Sequence, residues 1–185
     1  VGRLDKLVGT LPATGAPAAI VEQLAADPAT SATVLAGRAA ALAHQAEQLR
    51  KLADAVRLSQ VRARLLKVLD APEAEIDLLA AALWVAGLDN EEVDVADYCR
   101  QVDRMAADVA ATLPSDADEA ARRGALDKFF FEESGFHGSR GDADYYNRAN
   151  SHLDTVLDDR EGLPISLSVI YMELGRRLKV PLEGV

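Results

Sequence analysis

Apolar residues recur along this chain at helical spacing rather than at the alternation of a half-buried strand. Residues 1–15 are interrupted by Gly9, Pro12 and Gly15 and read as irregular. Ala16–Ala26 predicts a short helix with Ile20, Val21 and Leu24 on one side, stopped by Asp27-Pro28. Thr30 or Ser31 then serves as the cap of the next helix. From Ala32 to Leu69 there is no proline, and Gly37 is the only glycine. Leu35, Leu42, Leu49 and Val56 stand seven apart, and Leu52 joins their stripe. That spacing suits one long helix packed against its own chain or an antiparallel hairpin; a self-associating coiled coil is the alternative.

Asp70-Ala71-Pro72 marks the best internal boundary, giving an N-terminal helical extension over 1–72 and a second region over 73–185. In the second region Glu73–Ala86 predicts a helix with Ile76, Leu79, Leu83 and Trp84 inward and Gly87 as its C-cap. Asp94–Leu113 follows, with Val95, Tyr98, Val102, Met105 and Val109 on one face. Ser115 or Asp116 caps a third helix reaching about Glu133. Gly135, Gly138 and Gly141 open a loop, Asn150–Leu157 forms a short helix, and Pro164–Leu178 forms the last. In that last helix Leu167, Ile170, Tyr171, Leu174 and Leu178 face inward, and Val180–Val185 begins a strand.

Composition narrows the function classes. Apolar residues make up 49% and aromatics only 5%, so the core is built from Ala, Leu and Val. The formal charge of −10 repels phosphate backbones, and no basic stripe interleaved with aromatics offsets it, which argues against nucleic acid. No apolar run approaches the roughly 18 residues of a membrane span, and the first residues do not make a signal peptide. With one cysteine, Cys99, there is no internal disulfide, and a cytoplasmic location is expected. The chain starts without Met and stops in an apolar stretch, so it reads as a piece of a longer protein.

Three pieces of the C-terminal third carry a resemblance. They are the FxExGFxG run from Phe131 to Gly138, Asp144-Tyr145-Tyr146 with Asn150-Ser151, and Gly162-Leu163-Pro164-Ile165-Ser166-Leu167-Ser168. Together they resemble the SirB-type branch of the transglutaminase-like superfamily, often joined to tetratricopeptide repeats, over roughly residues 73–185. Arg148 and Ser139 depart from the proline and asparagine that the family often carries. The resemblance implies a mainly α chain. Its helical N-terminal region would lead into the helical half of a papain-like α+β domain, truncated before its sheet.

Catalytic relatives open the central helix with a Gly-x-Cys pattern, where the helix dipole and a histidine stabilise the thiolate. Here the resemblance puts Gly162 at the glycine and Pro164 at the cysteine position. Proline starts a helix well and offers no nucleophile. Ser166 is turned about 200° from that slot, and Ser168 lies roughly 6 Å deeper along the axis. Cys99 is mid-helix, far from any family catalytic position, and His44 reads as a surface residue. His137 and His152 flank the glycine loop without a metal-ligand pattern, and Asp142, Asp144 and Asp154 do not make an EF-hand. Asp144 or Asp154 is expected to cap a turn or pair with Arg160. No metal or cofactor is expected. The remaining candidate surface is Phe136, Tyr145, Tyr146, Asn150 and Ser151, lining the inherited groove and binding a protein or peptide. The expected function is therefore a non-catalytic binding or regulatory module. The alternatives are an active transglutaminase or thiol hydrolase with an unusual nucleophile, and a helical oligomer built through Ala32–Leu69.

Overall fold

The computed structural model describes residues 18–139 and 147–184. The fold is mainly α. The chain divides into two compact units, Val1–Arg57 and Leu58–Val185.

Helix α1 covers Ala18–Leu24, and α2 is a single helix of 42 residues, Pro28–Leu69, about 63 Å long at 1.5 Å per residue. Asp27-Pro28 does more than end α1. The Asp27 carboxylate accepts the Thr30 N–H at 3.3 Å, and Pro28 sits at the first helical position, where its missing N–H is not needed. Thr30 and Ser31, the predicted caps, are thus inside the helix, about one turn past Asp27. Of the heptad stripe, Leu42, Leu49, Leu52 and Val56 are exposed, which overturns the expectation of a packed helix or hairpin. In the second unit α2 does have an inward side: Val61 is buried and Leu58, Leu65 and Val68 are partly so.

The core of the second unit is made from α3 (Leu78–Asp89), α4 (Val95–Ala111), α5 (Glu119–Asp127), α6 (Leu153–Asp159) and α7 (Pro164–Arg177). Asp77, Asp94 and Asp118 cap α3, α4 and α5 by accepting N–H groups three residues on, at 2.9, 3.0 and 2.8 Å. Asp118 therefore replaces the predicted Ser115 or Asp116. The helix expected over Glu73–Ala86 is broken instead into a single 3-10 turn, Glu73–Glu75, and α3. Gly87 is buried inside α3, and Asn90 is the cap.

Helix α7 is the central element, packed on α4, α3 and α6. Ile170 and Leu174 are fully buried and meet Leu83, Val102 and Leu157 in one cluster. Glu173, 3% exposed, receives Arg176 and Arg177 hydrogen bonds at 2.8 and 2.6 Å, and Arg177 also reaches Asp103 of α4 at 2.6 Å. Burial opposes the Arg177 charge, but those carboxylates outweigh it and raise its pKa. After α7 the chain turns at Lys179, φ 58°, and the Val180 N–H caps the Gly175 carbonyl at 2.9 Å. Residues 180–184 then run without joining a strand, unlike the prediction; Val180 is simply buried. The sheet among the described residues is one short parallel pair, β1 (His137–Gly138) with β2 (Glu161–Gly162), in register His137 to Glu161.

Candidate functional site

The start of α7 is fixed by one backbone carbonyl. Asn150, in the 3-10 turn Arg148–Ser151, accepts the Leu163 N–H at 3.0 Å and the buried Ser166 hydroxyl at 2.9 Å. Ser166 is thus a structural clamp. Pro164 occupies the first turn with its ring exposed, so the position where the family resemblance places a nucleophile carries none.

Ahead of β1, α5 continues into a π-helical turn, Lys128–Glu133, closed by the Ser134 N–H on the Phe129 carbonyl at 2.7 Å. Such wide turns shift the phase of the side chains that follow. Phe130 is fully buried while Phe131 is 59% exposed. Gly135 at φ 68° then folds the chain back so that Phe136 stacks on Phe130, centroids 4.3 Å apart. The Arg160 guanidinium lies 4.7 Å from the Phe136 centroid, and burial lowers its pKa. Tyr171 meets Phe130 edge-on at 5.3 Å. Its hydroxyl donates to Asp127; burial first, and that carboxylate second, push its pKa up to about 12.

These pieces enclose a groove of about 720 Å³ along the exposed flank of α7. Its walls are Phe131, the α7 residues Pro164, Ile165, Ser168 and Met172, and the returning segment with Leu182 and Gly184. Ile165 is 72% exposed at its mouth. The lining is mostly apolar, and among the described residues the only carboxylate on it is Glu183. Such a groove suits capture of an apolar side chain rather than acid–base chemistry.

Of the residues singled out in the sequence, Pro164 lines this groove. Phe136 and Asn150 are interior, at 2% and 6% exposure, and Ser151 is exposed. Tyr145 and Tyr146 lie outside the described residues, as do Asp142 and Asp144. Ile165, Met172 and Leu182 were missed as lining residues, and Phe131 stood only in the aromatic FxExGFxG run. The one signal for them was the Phe129-Phe130-Phe131 run, three rings in a chain poor in aromatics.

Other polar groups have structural work. Asp154, 3% exposed, accepts the Asn90 amide at 2.9 Å instead of pairing with Arg160. His152 and Arg148 both face Asp89, and His137 Nδ1 sits 2.9 Å from the Gly138 carbonyl. Tyr98 donates to Asp158 at 2.8 Å, and burial with that carboxylate raises its pKa. Half-buried Cys99 lies on α4. Burial, and then the Asp77 carboxylate, push its thiol above the usual range, away from a nucleophilic thiolate. Among the described residues, no three His, Cys, Asp or Glu side chains are grouped so as to hold a metal, and no helix is long and apolar enough to cross a membrane.

Comparison with known proteins agrees with this geometry. Residues 96–185 match the family model described as the transglutaminase-like superfamily. A UPF0162 protein of Xylella fastidiosa is 32% identical over 114 residues, covering 60% of this chain and 38% of that protein. One from Vibrio cholerae is 31% identical over 110 residues, covering 60% of this chain and 40% of that protein. The human F-box only protein 21 is 41% identical over 61 residues, 33% of this chain and 9% of that protein. The matches thus span about two fifths of the bacterial relatives' length. No solved structure matches the chain.

Proposed function

We propose that residues 73–185 form a SirB-type transglutaminase-like module that has lost its chemistry and binds a cytoplasmic protein or peptide segment, with residues 1–72 as an extension. The observation that carries this reading is Pro164 at the first turn of α7, on the rim of an apolar groove. The fold keeps the helix start that relatives use for a nucleophile, yet the side chain there cannot accept or donate a proton. Cys99 does not replace it: its thiol is on another helix and is held protonated by burial. The groove supports an apolar ligand, because exposed Ile165 and exposed Phe131, the latter held edge-on against Phe130, supply apolar contact area.

Two measurements test the proposal. Incubation with a fluorescent amine and a glutamine-rich acceptor gives no product above blank; thiol-dependent turnover that vanishes in Cys99→Ser would refute the loss of chemistry. For binding, apolar peptides selected from a displayed library are titrated by fluorescence anisotropy. Ile165→Asp and Phe131→Ala each weaken binding about tenfold or more while leaving the melting temperature nearly unchanged, as expected for exposed positions. Tyr145→Ala and Tyr146→Ala weaken it as well if the glycine loop contributes to the same surface. Equal binding by wild type and Ile165→Asp would place the site elsewhere.

A further inference from the structure

The first unit contains a surface independent of the groove. Within α2, Leu42, Leu49, Leu52 and Val56 are between 45% and 67% exposed, although they form one line along the helix. With Leu35 at the first position of a heptad, Leu42, Leu49 and Val56 repeat that position, and Gln45 and Leu52 occupy the fourth. The positions beside this seam, 41, 46, 48, 53 and 55, are all Ala or Gln. Every Asp, Glu, Lys and Arg between 42 and 57 is kept to the outer positions of the heptad: Glu47, Arg50, Lys51, Asp54 and Arg57. Their partners are partly local, since Arg50 and Lys51 both face Glu47 at 3.8 and 3.7 Å.

We propose that this seam pairs with the same seam of a second copy of the chain, in antiparallel orientation. Two features select this occupant. A foreign helix is chosen by charges flanking the seam, and here the flanks carry none, so nothing repels an identical copy and small alanines let the two backbones approach. Arg38 stands at a fourth heptad position, so parallel pairing would set two guanidinium groups face to face, whereas antiparallel pairing separates them. Between Leu35 and Val56 the seam and its two flanks number thirteen positions, short of the 20–30 residues a side of a standard stable interface. The dimer is accordingly weak and concentration-dependent.

Sedimentation of the full chain tests this. The weight-average mass rises with concentration from 19.8 kDa toward twice that value. The double variant Leu49→Glu/Leu52→Glu needs at least tenfold higher concentration for the same rise and keeps its helical circular dichroism, while Arg50→Glu on the outer face changes nothing. Orientation is read in a Cys99→Ser background with an added oxidant: a mixture of Leu42→Cys and Leu52→Cys chains, a first and a fourth heptad position that face one another when the seam is antiparallel, gives a covalent dimer, and Leu42→Cys alone gives little. A wild type that stays monomeric, or a glutamate variant that dimerises equally, overturns the proposal, and ready cross-linking of Leu42→Cys alone overturns the antiparallel pairing.

Discussion

At the scale of single residues, the chain's chemistry is decided by what its environment does to each proton. Tyr171 shows the sign clearly. Its pKa is raised from 10.0 to about 12, because burial disfavours the phenolate and the hydroxyl donates to Asp127. The folded state therefore gains stability from this group fully below pH 10 and loses it as pH climbs from 10 toward 12. The expected outcome is a stability gap between wild type and Tyr171→Phe that is open at pH 9 and closes by pH 12. Chemical denaturation across that range measures it, and a gap independent of pH would mean that the hydroxyl is not the proton being held. The mid-helix place of Cys99 and the helix start at Pro164 were legible from the sequence. The caps were less so: Asp, Ser and Thr cluster before each helix, and any of them can accept an N–H. The choice of Asp27 over Thr30, or Asp118 over Ser115, depends on where the core ends the preceding turn.

At the scale of elements, close packing is tight where β2 meets α6 and α7. A methyl group placed on Gly162 would stand 2.8 and 3.0 Å from the two γ carbons of Val156, with Leu167 at 3.5 Å. Val156 is fully buried and β-branched, so its methyls are held in one rotamer by the helix and cannot swing aside. Gly162→Ala is expected to cost about 1–3 kcal/mol, the usual cost of overfilling a core. Gly124 provides the contrast. It lies exposed within α5 with open space around it, and Gly124→Ala should gain up to about 1 kcal/mol from helix propensity. Urea titrations that rank the two variants in the opposite order would show that the β2 contact is loose. The order of helices was readable from period and breakers, and Ile170 and Leu174 are inward as the spacing required. The exposure of Leu49 and Leu52 was not readable, because a leucine stripe looks the same whether its partner is its own chain or another.

At the scale of the whole molecule, the groove was hidden from the sequence for a plain reason. Its walls come from the π-helical turn near 130, the start of α7 and the segment 182–184, and only the fold brings them together. What the sequence did carry was the composition of the core that supports it. Every member of the main hydrophobic cluster falls between Leu79 and Val180, and the Glu173–Arg177–Asp103 network lies within the same span. The cluster includes fully buried Leu83, Val102, Leu126, Phe130, Val156, Ile170 and Leu174, so it draws on every helix from α3 to α7 and on the π-helical turn. Among the described residues, none of the first unit is a member. A fragment comprising residues 58–185 should therefore unfold in one cooperative transition, because the contacts that make unfolding all-or-none are all inside it. It keeps Leu58, Val61, Leu65 and Val68, the partly or fully buried positions of α2 in that unit. Thermal melts followed by near-ultraviolet circular dichroism, which reports the packing of Trp84 and the aromatic cluster, decide the matter. A sharp transition with native near-ultraviolet signal is expected. A fragment with helical far-ultraviolet signal, no near-ultraviolet signal and a sloping melt would show that residues 1–57 are needed to fix the core, and that the two units do not fold separately.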